Sequence, residues 1–291
     1  MPLYEAIVLA IVQGLTELLP VSSSAHVIIT AKLFHQDMST PANALLLVML
    51  HTGTMFAVIV YFWQHWMKTF FSCAEAFWRF VCLVFVGCLF TGVVGYPLQH
   101  LIVHVLGAGT RRAEIEDLFN KLNWIAPALA AVGILILYTG LHEARRPATG
   151  ADEGEKTVTW FQAVLMGIVQ GFAIPFRGFS RSGSTISAGL LAGGSRALVE
   201  SFSFALAVAI TPVAVAWEAL RMHRAEVHAG THVHLAAALV PSLVGLACAF
   251  LAGLLALKWL SGWLQQGRWY LFGIYCLLAA GAVELLYLRG W

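Results

Sequence analysis

Charge is what this sequence has least of: Asp, Glu, Lys and Arg make up 11% of its 291 residues, less than half the roughly 25% of soluble domains. Set against 59% hydrophobic residues and a mean hydropathy of +0.79, that scarcity excludes an ordinary soluble protein and points to the bilayer. A net charge of +2 lacks the basic footprint of a nucleic-acid binder, so nucleic acid is excluded as a partner. Cysteine is scarce as well. Cys73, Cys82, Cys88, Cys248 and Cys276 are odd in number and scattered singly. They offer neither a disulfide framework nor zinc-ligand spacing, and read as small apolar packers. The opening Met-Pro-Leu-Tyr-Glu-Ala has an acid where a cleaved signal peptide carries a basic region. The first apolar run is therefore expected to stay in the mature protein.

Long apolar runs are abundant. Six, at about 43–63, 81–105, 124–141, 202–220, 235–257 and 269–288, meet the rule that about 20 apolar residues cross a bilayer. The polar connectors, 64–75, 107–121, 142–157, 221–232 and 258–268, are too short for a soluble domain. Residues 1–291 are thus expected to form one integral membrane domain, all α-helical and multi-pass.

Two further apolar stretches are interrupted. Residues 2–19 run into Pro20-Val21-Ser22-Ser23-Ser24 and resume only to about 34. Residues 158–176 run into the segment from Arg177 to Ser184 and resume only to about 193. Backbone broken at membrane depth is tolerated only where protein buries it or it lines a wet cavity. Both stretches are expected to be re-entrant helical hairpins, 2–34 and 158–193, with polar tips inside the protein. The two are related in sequence. Ala6 to Leu15 aligns with Ala163 to Phe172 at a constant offset of 157, with Ile-Val-Gln-Gly identical in both. Each hairpin precedes three spans. Repeat one would be about 1–141 and repeat two about 158–291, and an odd number of spans turns the second upside down. An inverted repeat would bring both tips together from opposite faces.

The tips concentrate polar side chains: Gln13, Glu17, Ser22, Ser23, Ser24 and His26 in the first, and Gln170, Arg177, Ser180, Arg181, Ser182, Ser184 and Thr185 in the second. Ionisable groups inside a membrane are functional candidates by default. Gln13 and Glu17 share one helix face, as do Ser23 and His26. Each Ser-rich segment leads into a helix start, whose N–H groups and positive dipole end suit an anion. The Arg181 fork suits phosphate oxygens, and the Glu17 carboxylate suits a divalent cation. A structural Glu17–Arg181 ion pair with serines as plain caps is the bland alternative.

Gln13-Gly14-Leu15-Thr16-Glu17-Leu18-Leu19-Pro20-Val21-Ser22-Ser23-Ser24-Ala25-His26 resembles the first signature of the bacterial undecaprenyl-diphosphatase family of the bacitracin-resistance type. Gly178-Phe179-Ser180-Arg181-Ser182-Gly183-Ser184-Thr185 resembles its second. The resemblance implies an inner-membrane enzyme that converts undecaprenyl diphosphate to the monophosphate, recycling lipid carrier for cell-wall synthesis. It implies a divalent cation, Mg²⁺ or Ca²⁺, held by Glu17. Glu17, Ser23, His26 and Arg181 take the catalytic positions. Gln13, Ser22, Ser24, Ser180, Ser182, Thr185 and Arg177 are the accompanying substrate-binding candidates. The chain departs from the family at Gln13, where many members carry Glu, and at Arg177, which stands where a proline usually precedes Gly178.

The expected chemistry is phosphoryl transfer, in which protein groups position the substrate and neutralise charge. Ser23 as nucleophile with His26 one turn away is one assignment; His26 as nucleophile or leaving-group acid is the other. A flippase for polyprenyl phosphate is the rival function, since inverted repeats suit alternating access. The expected partners are the polyprenyl diphosphate lipid and the membrane, with a homodimer as an allowed assembly. Among other polar residues, His223, His228, His232 and His234 read as a solvated loop rather than a metal site. Glu218 and Glu284 read as partner-satisfied or interfacial, and His51, isolated in a span, as a hydrogen-bonded packing residue rather than a ligand. Trp63, Trp66, Trp269 and Tyr270 read as interface anchors.

Overall fold

In a computed structural model, the structure describes residues 1–36, 40–106, 122–145, 157–229 and 235–289. The side chains of His223, His228, His232, His234 and Glu218 lie outside the described residues. Among those described there are ten helices and no strand: α1 Leu3–Leu18, α2 Ser23–Leu33, α3 Pro41–Thr69, α4 Ala74–Leu106, α5 Leu122–Ala144, α6 Trp160–Ala173, α7 Arg181–Leu191, α8 Arg196–Ala229, α9 Leu235–Gln265 and α10 Tyr270–Leu288. Six of them, α3, α4, α5, α8, α9 and α10, are long and apolar enough to cross a membrane. Their outward faces are apolar too: Phe85, Tyr96 and Leu278 are 66%, 68% and 71% exposed. Apolar surface on that scale needs lipid rather than water, and the protein is a multi-pass membrane protein.

The spanning helices run past the apolar runs that announce them. α3 continues to Thr69 through Gln64, His65 and Lys68, and α9 to Gln265 through Lys258 and Ser261. Helical hydrogen bonding satisfies the backbone wherever the surroundings turn polar, so composition marks the span and not the helix end. α1, α2, α6 and α7 have 16, 11, 14 and 11 residues, too few to cross the hydrocarbon. They form two helix–break–helix pairs.

Local chemistry sets the breaks. Pro20 disfavours helical backbone at the residue before it, and Leu19 is extended with ψ 147°, ending α1 at Leu18. Ser22 then adopts φ 65°, a left-handed conformation uncommon outside glycine, and α2 begins at Ser23. In the second pair, α6 opens on a capping box: Gln162 N donates to Thr159 Oγ1 at 3.2 Å and Thr159 N to Gln162 Oε1 at 2.9 Å. Gly178 turns the second break with φ +101°, and a Cβ there would lie 2.6 Å from Ile125 O, so only glycine fits. Ser180 caps α7 by accepting from Gly183 N at 3.2 Å.

The chain divides into two compact units, each drawing segments from both halves of the sequence. The first is Met1–Leu19, Ser23–Trp63 and Ala207–Leu260; the second is Pro20–Ser22, Gln64–Leu206 and Ser261–Trp291. In the first, α1 packs on α9 through small residues. A Cβ on Gly14 would sit 2.7 Å from Ala249 O, and α3 approaches α9 likewise, with Gly53 facing Leu246 O. Leu9, Ala10, Leu46, Leu50 and Ala249 form its core. In the second, α6 packs on α4 the same way: Gly167 faces Gly87 O, and a Cβ on Gly171 would meet Thr91 O at 2.6 Å. Thr91 Oγ1 lies 2.8 Å from Gly87 O and 3.1 Å from Gly167 O and accepts from Gln170 Nε2 at 3.1 Å, tying the two helices together. Close backbone approach at small residues is how helices associate where lipid removes the hydrophobic drive.

A buried clamp also holds the second unit. Arg196 donates from Nε to Glu143 Oε2 at 3.1 Å, from Nη2 to Glu143 O at 2.9 Å and from Nη1 to Gln265 O at 3.0 Å. Arg196→Ala would leave the Glu143 carboxylate, 1% exposed, without this counter-charge. It is expected to cost about 3–5 kcal/mol, read as a lower unfolding midpoint in detergent.

Two side-chain expectations are corrected here. Trp66 and Trp269 are not interface anchors: they are 6% and 0% exposed, and Trp269 Nε1 donates to Ser187 Oγ at 3.1 Å inside the protein. Trp63, 53% exposed, does face outward. All five cysteines are free, but only Cys276 is buried; Cys73 and Cys82 are exposed, so packing is not their role.

Candidate active site

The first break gathers its polar groups around one oxygen. Glu17, in the last turn of α1, holds Oε2 where Ser23 Oγ donates to it at 2.5 Å and Gln13 Nε2 at 3.1 Å. Gln13 is 1% exposed, one helical turn below Glu17 on the same face, so its amide fixes the carboxylate. Ser23 is the first residue of α2, delivered to that carboxylate by the turn at Pro20 and Ser22. Spacing suggests His26 as the base beside Ser23; the hydroxyl itself donates to Glu17. A carboxylate that accepts from a hydroxyl in this way has the geometry of a general base.

His51 is hydrogen-bonded, as expected, and in addition lies near this group. It comes from α3, with Nδ1 2.8 Å from Leu47 O and Nε2 3.8 Å from Glu17 Oε2. An ionisable residue inside an apolar run was the signal available in the sequence. The approach of α3 to the end of α1, which no spacing rule supplies, was missing.

The turn between the first two helices belongs to the second unit. Ser22 is 5% exposed, and Cys276 Sγ donates to Pro20 O at 3.2 Å. A Cβ on Gly183 would lie 3.1 Å from Pro20 Cβ. Glycine at 183 thus lets the first turn of α7 lie against the Pro20 turn.

The second break is built on hydroxyls that hold the start of α7. Ser184 Oγ and Thr185 Oγ1 donate to Arg181 O at 3.0 and 2.9 Å. Ser180 Oγ lies 3.4 Å from Ser182 Oγ. Thr185 Oγ1 also lies 2.5 Å from Ser203 Oγ of α8, a partner that sequence reasoning missed because nothing distinguishes Ser203 within its apolar run. Ser180, Ser182 and Thr185 are buried, whereas Arg181 and Arg177 are half-buried. The buried hydroxyls fix the turn from which Arg181 projects, at a helix N-terminus whose dipole favours anions.

As a cation site, the described residues bring together no set of three or more His, Cys, Asp or Glu side chains. Glu17 is the carboxylate present at the first break, and a hard cation held by one or two carboxylates would complete its shell with water and phosphate oxygens.

This chain is similar along nearly its whole length to proteins named undecaprenyl-diphosphatase. It is 50% identical to undecaprenyl-diphosphatase 2 of Acinetobacter baylyi, over 94% of each chain. It is 31% identical to the undecaprenyl-diphosphatase of Alkaliphilus metalliredigens, over 94% of this chain and 95% of that one. It is 29% identical to that of Parabacteroides distasonis, over 94% and 93%. Residues 6–282 match the family described as bacitracin resistance protein BacA, and the chain belongs to that family.

Proposed function

We propose that this protein is an undecaprenyl-diphosphate phosphatase, releasing inorganic phosphate from the lipid diphosphate and leaving the polyprenyl monophosphate. The observation that carries the reading is the Ser23 hydroxyl donating to Glu17 Oε2 at 2.5 Å, within a chain half identical to an enzyme of that name. The flippase reading is not favoured, because the relatives are named for hydrolysis.

The diphosphate head is bound by the polar residues of the breaks, and the tail lies along apolar helix faces. Ser23 Oγ attacks the terminal phosphorus as its proton passes to Glu17. The bond to the bridging oxygen breaks, and polyprenyl phosphate leaves. Water then hydrolyses the phosphoserine, regenerating Ser23 and releasing phosphate. Arg181, Arg177 and the α7 N–H groups stabilise the charge on the transferring phosphoryl. Ser180, Ser182 and Thr185 hold that helix start, while Ser22 and Ser24 shape the first. Glu17 would hold a divalent cation, which when bound would supply further charge neutralisation. His26 has two assignments: acid for the leaving oxygen, or the nucleophile itself in place of Ser23. Acid quenching of the phosphoenzyme separates them, since phosphoserine survives acid and phosphohistidine does not.

The two broken helix pairs are re-entrant hairpins heading inverted repeats, about 1–141 and 158–291. Matched packing supports this reading. Gly87, Thr91 and Gly95 on α4 correspond to Gly245, Ala249 and Gly253 on α9 at an offset of 158 (249 − 91). The first set packs on α6 at Gly171 and the second on α1 at Gly14, themselves 157 apart (171 − 14). Placement in the bacterial inner membrane follows from the lipid substrate, and a homodimer is compatible with the exposed apolar faces.

Tag-free protein in detergent, given polyprenyl diphosphate, is expected to release one phosphate per lipid. Chelator is expected to reduce the rate at least about tenfold, restored by added cation. Lipid binding without phosphate release would favour the flippase.

A further inference from the structure

We propose that Ser203, inside the apolar run of α8, is a positioning residue for phosphate release: its hydroxyl sets Thr185, and through Thr185 the backbone from which Arg181 reaches the phosphate. The inference rests on the reading of Arg181 as the group that stabilises the transferring phosphoryl.

Counting protons gives the contact a direction. Thr185 Oγ1 lies 2.9 Å from Arg181 O, 3.3 Å from Ser182 O and 2.5 Å from Ser203 Oγ. A hydroxyl has one proton and a carbonyl only accepts, so the Thr185 proton goes to a carbonyl. The proton between the two hydroxyls is therefore that of Ser203. The reverse order would take Thr185 from Arg181 O and leave the Ser203 proton without an acceptor among the described residues. Ser203 thus donates to Thr185 and Thr185 to Arg181 O, each bond polarising the next. Ser203 is 2% exposed and Thr185 0%, so water does not compete for either hydroxyl.

The neighbouring residues of α8 show the ordinary alternative. Ser201 returns its proton to Leu198 O one turn back at 3.2 Å, and Thr211 does the same to Ala207 O at 2.7 Å. That is the local habit of a hydroxyl within a helix. Ser203 sends its proton outward instead, seated between Phe202 and Phe204, both 0% exposed. Farther along α7, Trp269 holds Ser187; Ser203 acts on the first turn, which Arg181 begins. A tilt of that turn would move the guanidinium while the fold stands, and a misplacement of about 1 Å can cost about 10²-fold in rate.

The test is phosphate release from polyprenyl diphosphate by the full chain in detergent. Ser203→Ala is expected to lower kcat by about 10- to 100-fold with KM changed less than about threefold, the signature of an interaction felt in the transition state. Ser201→Ala should keep the parental rate. In the Arg181→Lys background, Ser203→Ala should cost less than about twofold, because an ammonium lacks the planar fork that Ser203 aims. A loss of folded protein would scale both backgrounds alike. Equal fold-losses in the two backgrounds, an equal loss in Ser201→Ala, or parental kcat in Ser203→Ala each overturn the role of Ser203 and leave the phosphatase standing. Absence of phosphate release by the parent overturns both.

Discussion

Arg181→Ala is expected to lower phosphate release from polyprenyl diphosphate by about 10³-fold or more, with the protein still folded and membrane-inserted. The magnitude is that of losing an arginine that stabilises charge on a transferring phosphoryl group. The fold should survive because what holds α7 does not depend on the guanidinium. Ser180 caps the helix, and Ser184 and Thr185 bond to the Arg181 carbonyl, which alanine retains. Arg181→Lys should recover only a small part of the rate, since an ammonium keeps the charge but not the planar fork. Phosphate release measured on protein with an unchanged melting profile checks both statements. Near-parent turnover in Arg181→Ala would remove Arg181 from the mechanism.

Glu17→Gln should be comparably damaging, by about 10²–10⁴-fold, the range for loss of a positioned acid–base group. One oxygen of Glu17 receives Ser23 Oγ and Gln13 Nε2 and faces His51, so the amide removes the proposed proton acceptor and the proposed cation ligand together. The substitution preserves size, so a rate loss without a loss of stability is the expected signature. The two functions separate in the cation dependence. If Glu17 serves the cation, excess divalent ion should restore part of the rate. If it serves only as base, added ion should restore none.

Much of this arrangement is legible in the sequence because its causes are local. Pro20 ends α1 through the residue before it, Ser180 caps α7, and the capping box at Thr159 and Gln162 opens α6. All three are properties of adjacent residues. The six spans are legible because bilayer thickness sets a length that apolar runs either meet or do not. The pairing of Gln13 with Glu17 follows from helical periodicity.

Other features are tertiary and leave no periodic trace. His51 reaches Glu17 only because α3 passes the end of α1, and Ser203 reaches Thr185 only because α8 passes α7. Trp269 stands at a span end, where tryptophan ordinarily meets lipid headgroups; Ser187 gives its N–H a partner indoors and it is buried instead. The helix ends at Thr69 and Gln265 outrun their apolar runs because hydrogen bonding, and not hydrophobicity, decides where a helix stops.

What most needs testing is the proposal that Ser23 and Glu17 at the first break and Arg181 at the second all act on the diphosphate. An experimental structure with a non-hydrolysable methylene diphosphonate analogue of the lipid tests it most directly. The account predicts phosphonate oxygens within about 3 Å of the Arg181 guanidinium, with Ser23 Oγ facing the terminal phosphorus and the Glu17 carboxylate beside it. An analogue bound at one break while the residues of the other stay out of reach would contradict it.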